Sequence, residues 1–114
     1  MTKLATIAKG IIGVDKSSGK TVYLADTSKL TDEHKVFLVL LGRYFSNKLG
    51  KLKSDSCTPA EITDESGLDS RTMGKRLSDL EKARYAESIE RGKHRIVPAN
   101  AERMLQEIRE KLGA

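Results

Sequence analysis

Side chains able to do recognition chemistry are concentrated between residues 70 and 95. That stretch holds Ser70, Arg71, Thr72, Lys75 and Arg76, then Arg91, Lys93, His94 and Arg95 around Gly92. Arg and Lys bond the acceptors of guanine, and Thr contacts a base edge or a thymine methyl. Cations beside a turn suit phosphates or the minor groove. Residues 70–95 carry eight Lys or Arg (71, 75, 76, 82, 84, 91, 93, 95) against four acids (79, 81, 87, 90). Their net of +4 nearly equals the whole chain's formal +5, so the excess positive charge lies here. Such an excess favours a polyanionic partner.

Other chemistry has little to rest on. No paired carboxylates, Ser/His/Asp arrangement or metal cluster stands out, so the expectation is a binding protein, not an enzyme, with no cofactor and no metal. His34 and His94 have no Cys or His partner at ligand spacing. His34 is expected to be partly exposed in the first turn of a helix, and His94 to sit in the basic turn. The single cysteine, Cys57, excludes an internal disulfide and fits a reducing cytoplasm. It precedes a helix start, where thiol pKa values can fall, but an inert cysteine is the expectation. Gly13-Val-Asp-Lys-Ser-Ser-Gly19-Lys20-Thr21 imitates a phosphate loop. It has five residues between its glycines where that loop has four, and Val22-Tyr23-Leu24 after it favours a strand over the required helix. A hairpin turn is the better reading.

The cations need elements to hold them. Thr58-Pro59-Ala60-Glu61 marks a helix start, with a hydroxyl cap, Pro in the first turn and Glu three residues after the cap. Gly67 supplies a left-handed stop, so this helix is about two turns long. Asp69 or Ser70 opens the next helix. Met73, Leu77 and Leu80 follow at spacings of four and three and share one face, leaving Arg71, Thr72, Lys75, Arg76, Asp79 and Lys82 on the others. Residues 85–90 and 95–98 read as strands around a tip at 91–94, with Tyr85 and Ile89 sharing a parity.

This order, carried on Ile62, Gly67-Leu68, Thr72-Met73, Leu77, Leu80-Glu81, Tyr85 and Gly92, resembles the winged helix-turn-helix of bacterial and archaeal transcriptional regulators. The resemblance spans about a third of the chain. It implies that Ser70, Arg71, Thr72, Lys75 and Arg76 approach the major groove of double-stranded DNA, and that Arg91, Lys93, His94 and Arg95 form a wing on the backbone. It implies sequence-specific or architectural binding of double-stranded DNA by a small transcriptional regulator of the cytoplasm, associated with the nucleoid. The alternative is a winged helix used as a protein–protein interaction module in a larger assembly. Such modules often have less basic recognition helices, and Glu87 and Glu90 lean that way. One departure is Arg84, where such domains often have glycine; a positive φ there would cost on the order of 1 kcal/mol.

For the whole chain the expected class is mostly α with a small β component, α+β, as one domain. Residues 1–29 form an N-terminal hairpin extension, 30–98 the winged helix-turn-helix core, and 99–114 a C-terminal amphipathic helix. In the extension, Leu4 to Ala8 read as a helical turn, and Ile11, Ile12 and Val14 and then Thr21 to Leu24 as strands about a turn at 15–20. The helix from Thr31 to Leu49 has Thr31 as cap, Asp32 and Glu33 against its dipole, and apolar residues nearly all round, so it is buried centrally or forms a subunit contact. Residues 46–57 read as a polar linker with Lys48, Lys51 and Lys53. Asn100 is expected to cap the last helix, whose stripe is Ala101, Met104, Leu105, Ile108 and Leu112. This helix, Asn100 to Leu112, or the one from Thr31 to Leu49, is the expected homodimer surface. The longest apolar run, Val36 to Leu41, is far short of the ~20 residues a membrane span needs, and no signal peptide is expected.

Overall fold

The computed structural model describes residues 2–113. Met1 and Ala114, the outer ends of the expected extension and C-terminal segment, lie outside the described residues. The protein is α+β. In chain order it has α1 (Thr2–Ala8), β1 (Ile12–Val14), β2 (Thr21–Tyr23), a short 3-10 turn (Thr27–Lys29), α2 (Asp32–Lys48), α3 (Pro59–Ser66), α4 (Ser70–Lys82), β3 (Ala86–Glu90), β4 (Lys93–Ile96) and α5 (Pro98–Lys111). The strands make two separate antiparallel hairpins, β1–β2 and β3–β4.

Helix α2 is the centre of the molecule. Val36 to Leu41 are completely enclosed, because α3, α4, β4 and the β1–β2 hairpin all pack on this helix. Its start is capped by Thr31, whose hydroxyl accepts the His34 N–H at 3.1 Å while His34 Nδ1 receives the Thr31 N–H. His34 thus takes the place Glu usually fills in a capping box. It is buried, contrary to the expected partial exposure, because Glu107 of α5 reaches its Nε2 at 3.1 Å.

The N-terminal hairpin is seated on α2. Gly42 gives it room: a Cβ there would collide with the Thr21 side chain, whose hydroxyl donates to the Val39 carbonyl at 3.1 Å. Beside this contact, the buried Arg43 guanidinium pairs with Glu65 of α3 and approaches Glu61 at 3.3 Å. Glu65 also accepts the Thr21 N–H at 3.0 Å, so one carboxylate ties β2, α2 and α3 together. The phosphate-loop imitation is a hairpin turn, closed by Asp15 accepting the Ser17 and Ser18 N–H groups.

Four sequence expectations are revised here. Leu4 to Ala8 is part of a full helix, α1, which packs on α5. Helix α5 starts at Pro98, with Val97 at its cap position and no side-chain cap bond. Asn100 does not cap it; its amide donates to the Arg84 carbonyl at 2.7 Å instead. Both faces expected to hold a second copy are covered by the chain itself. The apolar residues of α2 are enclosed, and Ala101, Met104, Leu105 and Ile108 of α5 belong to the same core as Leu4 and Ile7 of α1. The 46–57 linker is also less solvated than its composition implies. Ser46 and Cys57 are buried, and the Asn47 amide donates to the Leu52 carbonyl at 3.1 Å.

Candidate nucleic-acid interface

The cationic helix α4 is placed by local rules. Upstream, Thr58 and Glu61 form a reciprocal capping box: the Thr58 hydroxyl accepts the Glu61 N–H at 3.2 Å and Glu61 accepts the Thr58 N–H at 2.9 Å. Gly67 ends α3 at φ +75°. Asp69 then caps α4, accepting the Thr72 N–H at 2.8 Å and its hydroxyl at 3.0 Å. The Thr72 amide bond, with the hydroxyl behind it, holds the Asp69 carboxyl below its ordinary range. Met73, Leu77 and Leu80 face the core.

On the opposite side of α4, Arg71, Lys75, Ser78 and Lys82 are exposed. Their spacing of four, three and four residues puts them on one line along the helix. Among the described residues none of these three cations has a carboxylate within ion-pair distance. Ser78 and Lys82 were not among the expected site residues, although the same helical period that singled out the apolar face also marks them. Ser70 is exposed beside Arg71. The remaining two expected residues lie off this line. Thr72 is half-buried and its hydroxyl proton is committed to Asp69. Arg76 is half-buried and pairs with Asp79 at 3.5 Å.

The β3–β4 hairpin departs further from expectation. Its turn is Arg91-Gly92, with Gly92 at φ +75°, and β4 begins at Lys93. His94 therefore sits inside a strand, not at the tip. Register runs Glu87 to Arg95 and Ser88 to His94, then shifts so that Glu90 faces Lys93. Ile89 falls in the bulge and is exposed, so the buried pair at the base is Ala86 with Ile96. The register also neutralises cations. Lys93 meets Glu90 at 3.2 Å, and Arg95 meets Glu87 at 2.8 Å, a bond that raises the Arg95 pKa further. The half-buried His94 ring lies 3.3 Å from Glu81 of α4. Of the four expected wing side chains, only Arg91 is without an acidic partner among the described residues.

His94 has a second structural duty. Its backbone exchanges both hydrogen bonds with Cys57, at 2.7 and 2.8 Å, in an isolated antiparallel bridge. The segment before α3 thus adds a one-residue third strand to the hairpin. The Cys57 thiol is enclosed there, and burial pushes its pKa up to about 12, so it is an inert packing residue.

The joint between α4 and β3 is strained. Arg84 has φ +67°, the sole non-glycine with positive φ among the described residues. It occupies the left-handed position of a helix stop in which the Tyr85 N–H bonds the Leu80 carbonyl at 2.9 Å and the Arg84 N–H the Glu81 carbonyl at 3.1 Å. The Asn100 amide secures the Arg84 carbonyl, so α5 helps hold the turn. No family model matches the chain, and no curated protein or solved structure does either.

Proposed function

We propose that the protein binds double-stranded DNA as a winged helix-turn-helix, with α4 entering the major groove and the β3–β4 hairpin as its wing. The observation that carries this reading is the exposed line of Arg71, Lys75, Ser78 and Lys82, whose three cations are uncompensated among the described residues. Arg71 and Lys75 lie in the N-terminal half of α4, the part that enters the major groove when such a helix docks, within reach of base edges and of the flanking phosphates. The order α2, α3, α4, then a hairpin joined by a one-residue strand before α3, supports the same layout. Arg91 is the wing side chain available for phosphate. Lys93 and Arg95 would first have to leave their own acids. A role as a small regulator on the nucleoid follows from this reading. Since neither α2 nor α5 presents a free apolar face, it does not depend on a dimer or a palindromic site.

The internal pairing of the wing specifically favours a second reading, a winged helix used for protein contact. One experiment separates the two. Fluorescence anisotropy on a mixed-sequence duplex at low salt should give saturable binding, weakened about tenfold or more when Arg71 and Lys75 both become Ala, a loss of about 1.4 kcal/mol. No binding, or binding indifferent to that pair, would leave the protein-contact reading.

A further inference from the structure

An apolar groove of about 670 Å³ is built without any residue of α3, α4, β3, β4 or α5. Thr2, Ala5 and Thr6 of α1, spaced as a single helical face, form one wall, with Lys9 in the turn just past the helix. The other wall is β1 and the turn after it, through Ile12, Val14 and Lys16, and Phe45 and Leu49 of the α2 end close the floor. Of the exposed apolar side chains, Leu49 lines it at 58% exposure, and Val22 and Leu24 stand on the adjoining hairpin segment outside it. The exposed Leu24 lies against Gly13, another groove residue, and the exposed Val22 is Gly13's partner across the hairpin. A single apolar side chain on a surface needs no explanation, but an apolar groove rimmed by charge does.

The rim charges have one sign and stand on both walls. Lys9 is in the turn that ends α1, while Lys16 and Lys51 are on the hairpin side, where the Lys51 ammonium donates to the Lys16 carbonyl at 3.4 Å. None of the three has an ion-pair partner among the described residues, whereas Lys3, Lys20 and Lys93 all do. The acid nearest in sequence, Asp15, accepts the Ser17 and Ser18 N–H groups and lies within electrostatic reach of Lys51, though not at ion-pair distance.

We propose that this groove docks an amphipathic helix of a partner protein. The helix would set its apolar face between α1 and β1, with carboxylates on its flanks meeting Lys9 on one side and Lys16 and Lys51 on the other. Charge on both walls selects this occupant: an amphiphile with one anionic head satisfies one wall, and a helix with acids on both flanks satisfies both. A second copy offers no such helix among the described residues, since the apolar faces of α2 and α5 are enclosed and that of α3 is spent on Ile62. Because α4 and the β3–β4 hairpin contribute nothing to the groove, the partner and DNA could be held together, and the inference stands apart from the DNA reading.

The test uses the full chain and a labelled designed helix of about 18 residues, roughly five turns. It carries Leu at i, i+3, i+4 and i+7 positions with Glu on both flanks. Two controls replace the Glu by Lys or shuffle the same residues so that no apolar face forms. Saturable anisotropy is expected for the Glu-flanked helix, about tenfold or more tighter than for either control. In the double variant Lys9→Glu, Lys51→Glu the preference should invert toward the Lys-flanked helix. Leu49→Glu, at an exposed site, should abolish binding while circular dichroism and duplex binding remain as in the parent. Equal affinity for all three peptides, no binding, or an uninverted preference would overturn the proposal. So would displacement of the peptide by monomeric dodecanoate, which would mark a small-amphiphile site, or a doubling of mass that competes with the peptide, which would mark a self-interface. Failure of duplex binding alone leaves it standing.

Discussion

At the scale of single residues, strain and capping make the sharpest claims. Arg84 occupies a left-handed conformation with an exposed side chain. Glycine adopts that conformation without the penalty, which is about 1 kcal/mol for other residues. Arg84→Gly should therefore stabilise the protein by about 0.5–1 kcal/mol in urea unfolding; a loss of stability would show that the side chain matters more than the backbone. Asp69 behaves differently because its contribution is ionic. Its folded pKa is depressed below the ordinary 3.8, so the cap's stabilisation is fully present above that value and lost as pH falls through the lower, folded one. Glu61 is depressed in the same direction, chiefly by the Thr58 N–H, and adds to the same acid window. Asp69→Asn keeps a capping oxygen but cannot titrate. Comparing urea midpoints at pH 7 and pH 3, the drop should be smaller for Asp69→Asn than for the parent; an equal drop would remove Asp69 from the acid response.

At the scale of elements, the buried Arg43–Glu65 pair fastens the hairpin, α2 and α3. Breaking such a pair strands a buried charge and costs about 3–5 kcal/mol. Because Arg43 keeps Glu61 at 3.3 Å, Glu65→Gln should sit near the low end, about 3 kcal/mol by chemical denaturation. A cost below about 1 kcal/mol would mean solvent reaches the pair. Elements were legible in the sequence wherever their signals are local. The Thr58–Glu61 box, the Gly67 stop, the Asp69 cap and the Met73-Leu77-Leu80 face all lie within a few residues of what they determine. Legibility failed where a distant partner decides. His34 is buried by Glu107, 73 residues away, and Asn100 is drawn from the helix cap by the Arg84 carbonyl, 16 residues upstream. The pairings of the wing cations are not legible in the sequence, because Glu87 meets Arg95 through the strand register and Glu90 meets Lys93 through the bulge at Ile89.

At the scale of the whole molecule, one core runs from Leu4 to Ile108, so residues 2–29 are built into the fold. The +5 net charge is unevenly spent. Acids of the chain itself answer Arg43, Arg76, Lys93 and Arg95, and among the described residues the line on α4 is left unanswered. That unevenness was half visible in the sequence: composition locates the excess charge between residues 70 and 95, but only coordinates separate paired from unpaired cations. Under the proposed DNA reading it makes α4, more than the hairpin, the expected source of phosphate affinity. The most direct measurement is duplex affinity across a salt series, where each phosphate contact adds about 0.9 to the log–log slope. Replacing Arg71 and Lys75 by Ala should lower the slope by roughly 1–2, while Arg95→Ala leaves it nearly unchanged. A flat slope in the parent, or a larger fall with Arg95→Ala than with the α4 pair, would contradict the assignment of α4 as the DNA-facing helix.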